Sequence, residues 1–535
     1  MSDHTSAELP PDVVVARRHS IGDLLARTAA RRPDHLALVW GEHRETYRDL
    51  DGAVDRVAAA LAARGVVRGE RVLLFAHNCR EFVLCWFALA RLGAISVPAN
   101  FMLGAEELAY IVDHAGATGF VVEDSLAPVA IRAMDLAGVD RPTVRGWIAA
   151  PEPSGVARPD GWEDVLAWAA ESGGEPPVVP IADDDPLQLM YTSGTESRPK
   201  GVTLTSRSLI AQYVSCIVEG EMTADDVEVH ALPFYHCAQL HCFLTPDVYL
   251  GATSVVLPRP DPELICAAIE RERATKLFCP PTVWISLLRS GALERHDVSS
   301  LRKGYYGASI MPVEVLRELG ERLPGVRLWN FYGQTEMAPL ATILKPHEQV
   351  SRAGSAGTPT LNVETRIVDD RDRPVGPGVV GEIVHRSPQA MTGYWRDPER
   401  TAEAFRGGWF HSGDLGVMTE DGYLTVVDRK KDMIKSGGEN VASKEVEDAL
   451  FRHPAVAEVA VFGIADSRWI EAVTAAVVLR PGAEVTAEEL IAHARAHLAG
   501  FKTPKHVEVV DQLPKNPSGK ILKRQLREEF SHLAT

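Results

Sequence analysis

The spacing of apolar and polar positions changes period repeatedly along the first 330 residues. Over residues 50–63, Val54, Val57, Ala58 and Leu61 recur at helical spacing, and the run stops at Gly65. The apolar stretch 71–76 predicts a buried strand, 79–92 a helix ended by Gly93, and 94–98 a strand. A helix over 106–114 and a strand over 119–122 follow. Such strand–helix–strand units predict parallel sheets covered by helices. Residues 1–18 predict a loose tail, and 151–185, rich in Pro, Gly and acids, a surface connection. The apolar run 187–191 predicts a core strand, and a second α/β run extends from 208 to 329.

After Asn362 the pattern shifts to short strands and turns, at 363–369, 381–386 and 423–428. Beyond the basic turn Arg429-Lys430-Lys431-Asp432, the pattern predicts a helix over 445–451, strands over 458–464 and 472–479, a helix over 487–498 and a strand over 507–510. The expected fold is therefore α/β. A large N-terminal domain of several subdomains, residues 1–430, combines parallel α/β sheets with a small β region. A smaller α+β C-terminal domain takes residues 431–535.

Composition narrows the partners. The 535 residues carry a net charge of −17, which argues against nucleic acid or an anionic membrane as the main partner. The seven cysteines are scattered without a C-x-x-C pair, which suits a reduced, cytoplasmic setting. The polar start MSDHTSAELPPD is not a signal peptide, and the apolar run around 82–90 is too short to span a bilayer. The end Leu533-Ala534-Thr535 carries no targeting motif.

The chemistry centres on residues 187–202, LQLMYTSGTESRPKGV. Thr192, Ser193, Gly194 and Thr195 follow a strand, and Lys200-Gly201 close the segment. Glycine admits close approach of backbone N–H groups, the hydroxyls donate short hydrogen bonds, and the lysine neutralises charge, as a phosphate-gripping loop requires. The pattern is not G-x-x-x-x-G-K-[ST]. Gly376 to Gly381 does match G-x-G-x-x-G, but a strand rather than a helix follows, so it predicts a hairpin connection. The pairs His236-Cys237 and His241-Cys242 lack the second ligand cluster expected of zinc.

Four further stretches carry site chemistry. Gly307-Ala308-Ser309 offers small residues for close approach to a flat base. In Asn330-Phe-Tyr-Gly-Gln-Thr-Glu336, Tyr332 offers an aromatic face and Glu336 a hard oxygen for magnesium. In Gly408-Trp-Phe-His-Ser-Gly-Asp414, a carboxylate can accept two ribose hydroxyls. Lys520 lies within Pro514-Lys-Asn-Pro-Ser-Gly-Lys.

Together these motifs resemble the adenylate-forming superfamily of acyl-CoA and aryl-CoA synthetases, nonribosomal adenylation domains and luciferases, over about residues 21–527. The wording PFYHCAQ and YGQTEMAPL is similar to bacterial fatty-acyl-CoA synthetases. Glu196-Ser197 depart from the Thr-Gly usual in the family's phosphate loop.

The resemblance implies a soluble AMP-forming acid–CoA ligase using ATP, Mg2+ and CoA, with a mobile C-terminal domain turning about Lys431. Thr192, Ser193, Gly194, Thr195 and Lys200 would hold phosphates. Gly307, Ala308, Ser309, Tyr332 and Gly333 would hold adenine, Thr335 the α-phosphate, and Asp414 and Arg429 the ribose. Lys435, Gly437 and Gly438 would border the pantetheine tunnel. The implied catalytic residues are Lys520, Thr192, Glu336 and His236, with Glu336 also the metal ligand. The expected substrate is a medium- or long-chain fatty acid or an aryl acid. A homodimer and a separate carrier protein stay open as partners. An adenylating enzyme with a non-CoA acceptor, or one activating nitrite, is the alternative. A non-catalytic nucleotide-binding protein is a third reading.

Overall fold

The computed structural model describes residues 10–150, 154–171, 175–192, 198–309, 311–430, 432–436, 439–515 and 521–533. Ser193, Gly194, Thr195, Glu196, Ser197, Lys431, Gly437, Gly438 and Lys520 fall outside them.

The predicted αβ alternation forms with local capping at each turn. Helix Tyr47–Ala63 starts three residues earlier than its apolar pattern, because Thr46 and Asp49 form a reciprocal capping box. Helix Arg80–Leu92 is capped by the Cys79 thiol and ended by Gly93 at φ +63°. It is apolar nearly all round and is correspondingly buried on nearly every side. There Trp86 Nε1 donates to Gln188 Oε1 at 2.7 Å, tying the helix to strand Pro186–Thr192.

An eight-stranded sheet runs in the order Gly393–Tyr394, Lys200–Thr205, Pro186–Thr192, Ile95–Pro98, Arg71–Phe75, Gly119–Glu123, Val144–Ile148, Glu163–Asp164. A nine-stranded sheet contains the parallel run Val227–His230, Lys276–Phe278, Lys303–Gly307 and Arg327–Gly333, continued antiparallel by Leu340–Leu344 and Thr358–Pro359. One core cluster joins helices Gly22–Arg31, Tyr47–Ala63 and Arg80–Leu92 to both sheets, through residues such as Leu38, Val72 and Val202.

The antiparallel four-stranded sheet is Glu364–Val368, Gly381–Arg386, Phe410–Met418 and Leu424–Arg429. Gly378, at φ +76°, lies in the turn before Gly381–Arg386, so the G-x-G-x-x-G match is a hairpin connection. The chain then enters a five-stranded sheet with Ile434–Ser436. Its long hairpin Val456–Asp466 and Ile470–Leu479 packs helices Ser443–Phe451 and Ala487–His497 on a separate core. The fold class is as expected.

Two stretches hold more structure than their composition suggests. A six-residue helix, Pro11–Ala16, forms within the expected tail. Within 151–185, strand Glu163–Asp164 and helix Val165–Ala170 extend the eight-stranded sheet. Trp168 is fully buried there, and Trp162 meets Trp147 edge-on at 6.0 Å. Two tryptophans outweigh the Pro, Gly and acids around them, since each buries a large area.

Candidate active site

Strands Pro186–Thr192, Lys303–Gly307 and Arg327–Gly333 all end at one cavity of about 790 Å³, and the four-stranded sheet walls its far side. A crevice beyond the carboxyl ends of parallel strands is where open α/β sheets bind ligands.

Close backbone packing shapes the floor. A Cβ on Gly307 would lie 2.5 Å from the Phe331 carbonyl oxygen, and one on Gly333 would lie 1.9 Å from that of Pro339. Only hydrogen fits at either place, so these glycines let adjacent chain segments meet beneath the cavity. Ala308 lies in the left-handed region at φ +66°.

On the four-stranded side, the Tyr332 hydroxyl donates to Asp414 Oδ2 at 2.8 Å, and Arg429 Nε lies 3.5 Å from Asp414 Oδ1. Asp414 is 8% exposed, so it presents a nearly dry carboxylate at the cavity wall. Burial beside Asp414 raises the Tyr332 phenol far above its ordinary value and keeps it a donor. Deeper, Glu382 meets His411 at 3.4 Å, Arg406 at 3.0 Å and Lys430 at 3.4 Å. Burial pushes its carboxyl up, but Lys430 and His411 outweigh that and hold it low.

Also on the polar part of the lining, the Tyr394 hydroxyl donates to Glu336 Oε1 at 3.0 Å, and the Lys200 ammonium lies 4.6 Å from the Tyr394 ring centre. The Thr335 hydroxyl and Cys237 thiol are 3.2 Å apart, and burial pushes the Cys237 thiol up to about 12. His236 accepts from the Ala238 N–H at 3.2 Å just before the π-helix Ala238–Leu244, a wide turn often found where a helix serves a site.

The inner end is apolar. Phe243 stacks on Phe278 at 4.4 Å and on Phe331 at 5.6 Å, with Cys242 and Leu340 completing the wall.

The cavity thus gathers Thr192, Lys200, His236, Gly307, Ala308, Tyr332, Gly333, Thr335, Glu336, Asp414 and Arg429. It does not gather Ser309 or Lys435, which are exposed and do not line it. Sequence reasoning missed Tyr394, Glu382 and the phenylalanine wall. Tyr394 had a signal, since Gly393-Tyr-Trp interrupts a polar stretch. The phenylalanines had none, because their registers on separate elements converge only in the fold.

The two histidine–cysteine pairs do not converge. His241 Nδ1 meets the Tyr213 hydroxyl at 2.9 Å, while Gln212 Nε2 donates to Cys242 Sγ at 3.3 Å. Among the described residues, the one metal-like grouping is Glu228, His230 and Asp247, all fully buried. A cation is already supplied there by Lys276, whose Nζ lies 2.8 Å from Glu228 Oε2 and also pairs with Asp247. No helix among the described residues is long and apolar enough to cross a membrane.

The family model for AMP-binding enzymes matches residues 25–395, and that for the AMP-binding enzyme C-terminal domain matches 445–520. A feruloyl-CoA synthase of an Amycolatopsis species is 38% identical over 96% of this chain and 100% of its own length. An indoleacetate–CoA ligase of Aromatoleum aromaticum is 35% identical over 95% of this chain and 98% of its own. Among solved structures, a Mycobacterium tuberculosis fatty acyl CoA synthetase aligns with a TM-score of 0.76 at 32% identity, covering 97% of this chain and 99% of that one.

Proposed function

The chain belongs to the AMP-binding enzyme family, and from that premise we propose that it is an AMP-forming ligase joining an aryl carboxylic acid to CoA. The observation that carries this reading is one continuous cavity with two chemically different ends. One end is ringed by Tyr332, Asp414, Arg429, Glu336 and Lys200, and the other is walled by Phe243, Phe278 and Phe331. Stacked phenylalanines favour a flat ring through offset and edge contacts over a flexible chain, whose rotamers must be frozen on entry.

The acid's carboxylate attacks the α-phosphorus of ATP, and the bond to the β-phosphate bridging oxygen breaks, releasing pyrophosphate. Both reactants are anionic, so catalysis rests on placing positive charge and donors where negative charge builds. Asp414 accepts the ribose hydroxyls, with Tyr332 and Arg429 fixing its carboxylate. Thr192, Thr335 and Lys200 receive the phosphates at the cavity wall. Glu336 offers a hard oxygen beside these hydroxyls, a donor set that suits magnesium entering with ATP. That ion would supply further charge neutralisation at the leaving group.

Lys520, by its motif, bridges the acid and the α-phosphate during this step. The domain following the hinge at Lys431 then turns, withdrawing Lys520 and presenting the loop after Lys435. The CoA sulfur attacks the acyl carbonyl, its proton is released, and AMP leaves with the carboxylate oxygen.

The test is pyrophosphate release over benzoates, cinnamates, arylacetates and fatty acids, with and without CoA, and mass analysis of the product. Acyl-CoA formation with aryl acids preferred about tenfold or more in kcat/KM supports the reading. A preference for alkyl acids overturns the acid class. Pyrophosphate release without thioester formation overturns the CoA acceptor, and no release with any acid overturns the ligase.

A further inference from the structure

Residues 391–395 clamp two segments that the chain otherwise leaves apart. Strand Gly393–Tyr394 pairs antiparallel with the strand beginning at Lys200, with Tyr394 opposite Val202. The Trp395 N–H donates to the Gly201 carbonyl at 2.7 Å, and the Thr392 N–H to that of Thr203 at 3.2 Å. The Met391 N–H donates at 2.7 Å to the carbonyl of Glu336, more than fifty residues earlier. Tyr394 then reaches both candidate phosphate-end charges with one side chain. Its hydroxyl meets the Glu336 carboxylate at 3.0 Å, and its ring lies 4.6 Å from the Lys200 ammonium. Its own N–H is held by the Thr401 hydroxyl at 2.9 Å, which fixes where the ring sits.

We propose that Tyr394 is a positioning residue for the magnesium-bearing phosphates of ATP: its hydroxyl orients the Glu336 carboxylate, and its ring face seats the Lys200 ammonium. The inference rests on the nucleotide reading above. It separates two functions within one side chain, and two variants resolve them. Tyr394→Phe keeps the ring and deletes the hydroxyl, while Tyr394→Leu deletes both. ATP binding is measured by titration calorimetry in magnesium and in EDTA, alongside acid-dependent pyrophosphate exchange.

Tyr394→Phe should weaken Mg·ATP binding about tenfold, as loss of a hydrogen bond to a charged group does, and leave binding in EDTA within about twofold. The magnesium concentration giving half-maximal exchange should rise by a similar factor, while KM for the acid and for CoA stays put. Tyr394→Leu should in addition weaken ATP binding in EDTA about threefold, because the lysine loses its aromatic seat. Equal weakening with and without magnesium in Tyr394→Phe, or none, overturns the inference. A merely structural role would lower melting temperature and disturb acid and CoA alike. If the wild-type protein binds ATP but adenylates no acid, the ligase reading fails while the magnesium comparison still judges Tyr394. If Tyr394→Leu does not fold, Tyr394→Phe alone decides.

Discussion

Lys276→Met is the most informative single perturbation of the scaffold behind the site. Lys276, Glu228, His230 and Asp247 are all fully buried. The ammonium lies 2.8 Å from Glu228 and also pairs with Asp247, while His230 lies 3.7 Å from Glu228 and 3.5 Å from Asp247. Burial drives both carboxyls above their ordinary values, and the ammonium offsets only part of that rise. Burial, with the Lys276 charge second, drives the His230 imidazole far below its ordinary value, so the ammonium is the cation of this cluster. Methionine fills similar volume but leaves two carboxyls without their counter-ion. Removing one partner of a buried charge cluster costs about 3–5 kcal/mol. At about 2.1 cal/mol/K per residue, a cooperative unit of roughly 400 residues loses about 1.2 °C per kcal/mol, so the midpoint should fall about 4–6 °C.

The damage should also reach the acyl end of the cavity. Gln239, on the π-helix whose Ala238, Cys242 and Phe243 line it, donates to Glu228 at 3.4 Å and meets His230 Nδ1 at 2.8 Å. Differential scanning fluorimetry and acid-dependent pyrophosphate exchange read both effects. The midpoint should drop and KM for the acid should rise, with KM for ATP little changed. Lys276→Met combined with Glu228→Gln and Asp247→Asn should recover about half of the lost stability, because it removes the orphaned charges. A single variant melting with the wild type, or a triple variant worse than the single, would refute the charge argument.

Other expectations are quick to test. Gly333→Ala places a Cβ 1.9 Å from the Pro339 oxygen, so it should shift the turn carrying Thr335 and Glu336 and cut adenylation more than about a hundredfold, measured by pyrophosphate exchange. Phe278→Leu nearly conserves volume and should lower kcat/KM for aryl acids about tenfold while sparing fatty acids, removing the stacking partner of Phe243. Lys520→Ala should leave ATP binding largely intact while adenylation collapses. Asp226 is pushed up by burial, yet Lys276 and Lys303 outweigh that and hold its carboxyl low. Its folded value lies below the unfolded one, so its stabilisation is present above about pH 4 and is lost as pH falls through the folded value. Asp226→Asn should therefore lower the melting midpoint at neutral pH and flatten its decline in acid.

Much of the fold was legible because it is local. Gly93 ends its helix in the left-handed conformation, as a glycine after an apolar run suggests. Strands 71–76 and 187–191 were visible as apolar runs because both lie in the interior of the eight-stranded sheet and are buried on both faces. The motif residues also converged, since Tyr332, Asp414 and Arg429 meet within hydrogen-bond or ion-pair reach. What escaped was non-local. Trp162 and Trp168 anchor a stretch whose composition resembles a linker. Lys276 looks like an ordinary surface lysine until the parallel register sets it beside Glu228. The Phe243–Phe278–Phe331 wall draws on a π-helix and two strands, and no short window of sequence holds all three.

The edge strand Gly393–Tyr394 joins its sheet almost two hundred residues after the neighbour it pairs with. The eight-stranded layer is thus not a contiguous cassette. A fragment ending anywhere between Thr205 and Tyr394 would leave Lys200–Thr205 as a raw border open to intermolecular pairing. Anyone building chimeras from this scaffold must transplant that late ribbon together with the early half, or accept aggregation as the outcome.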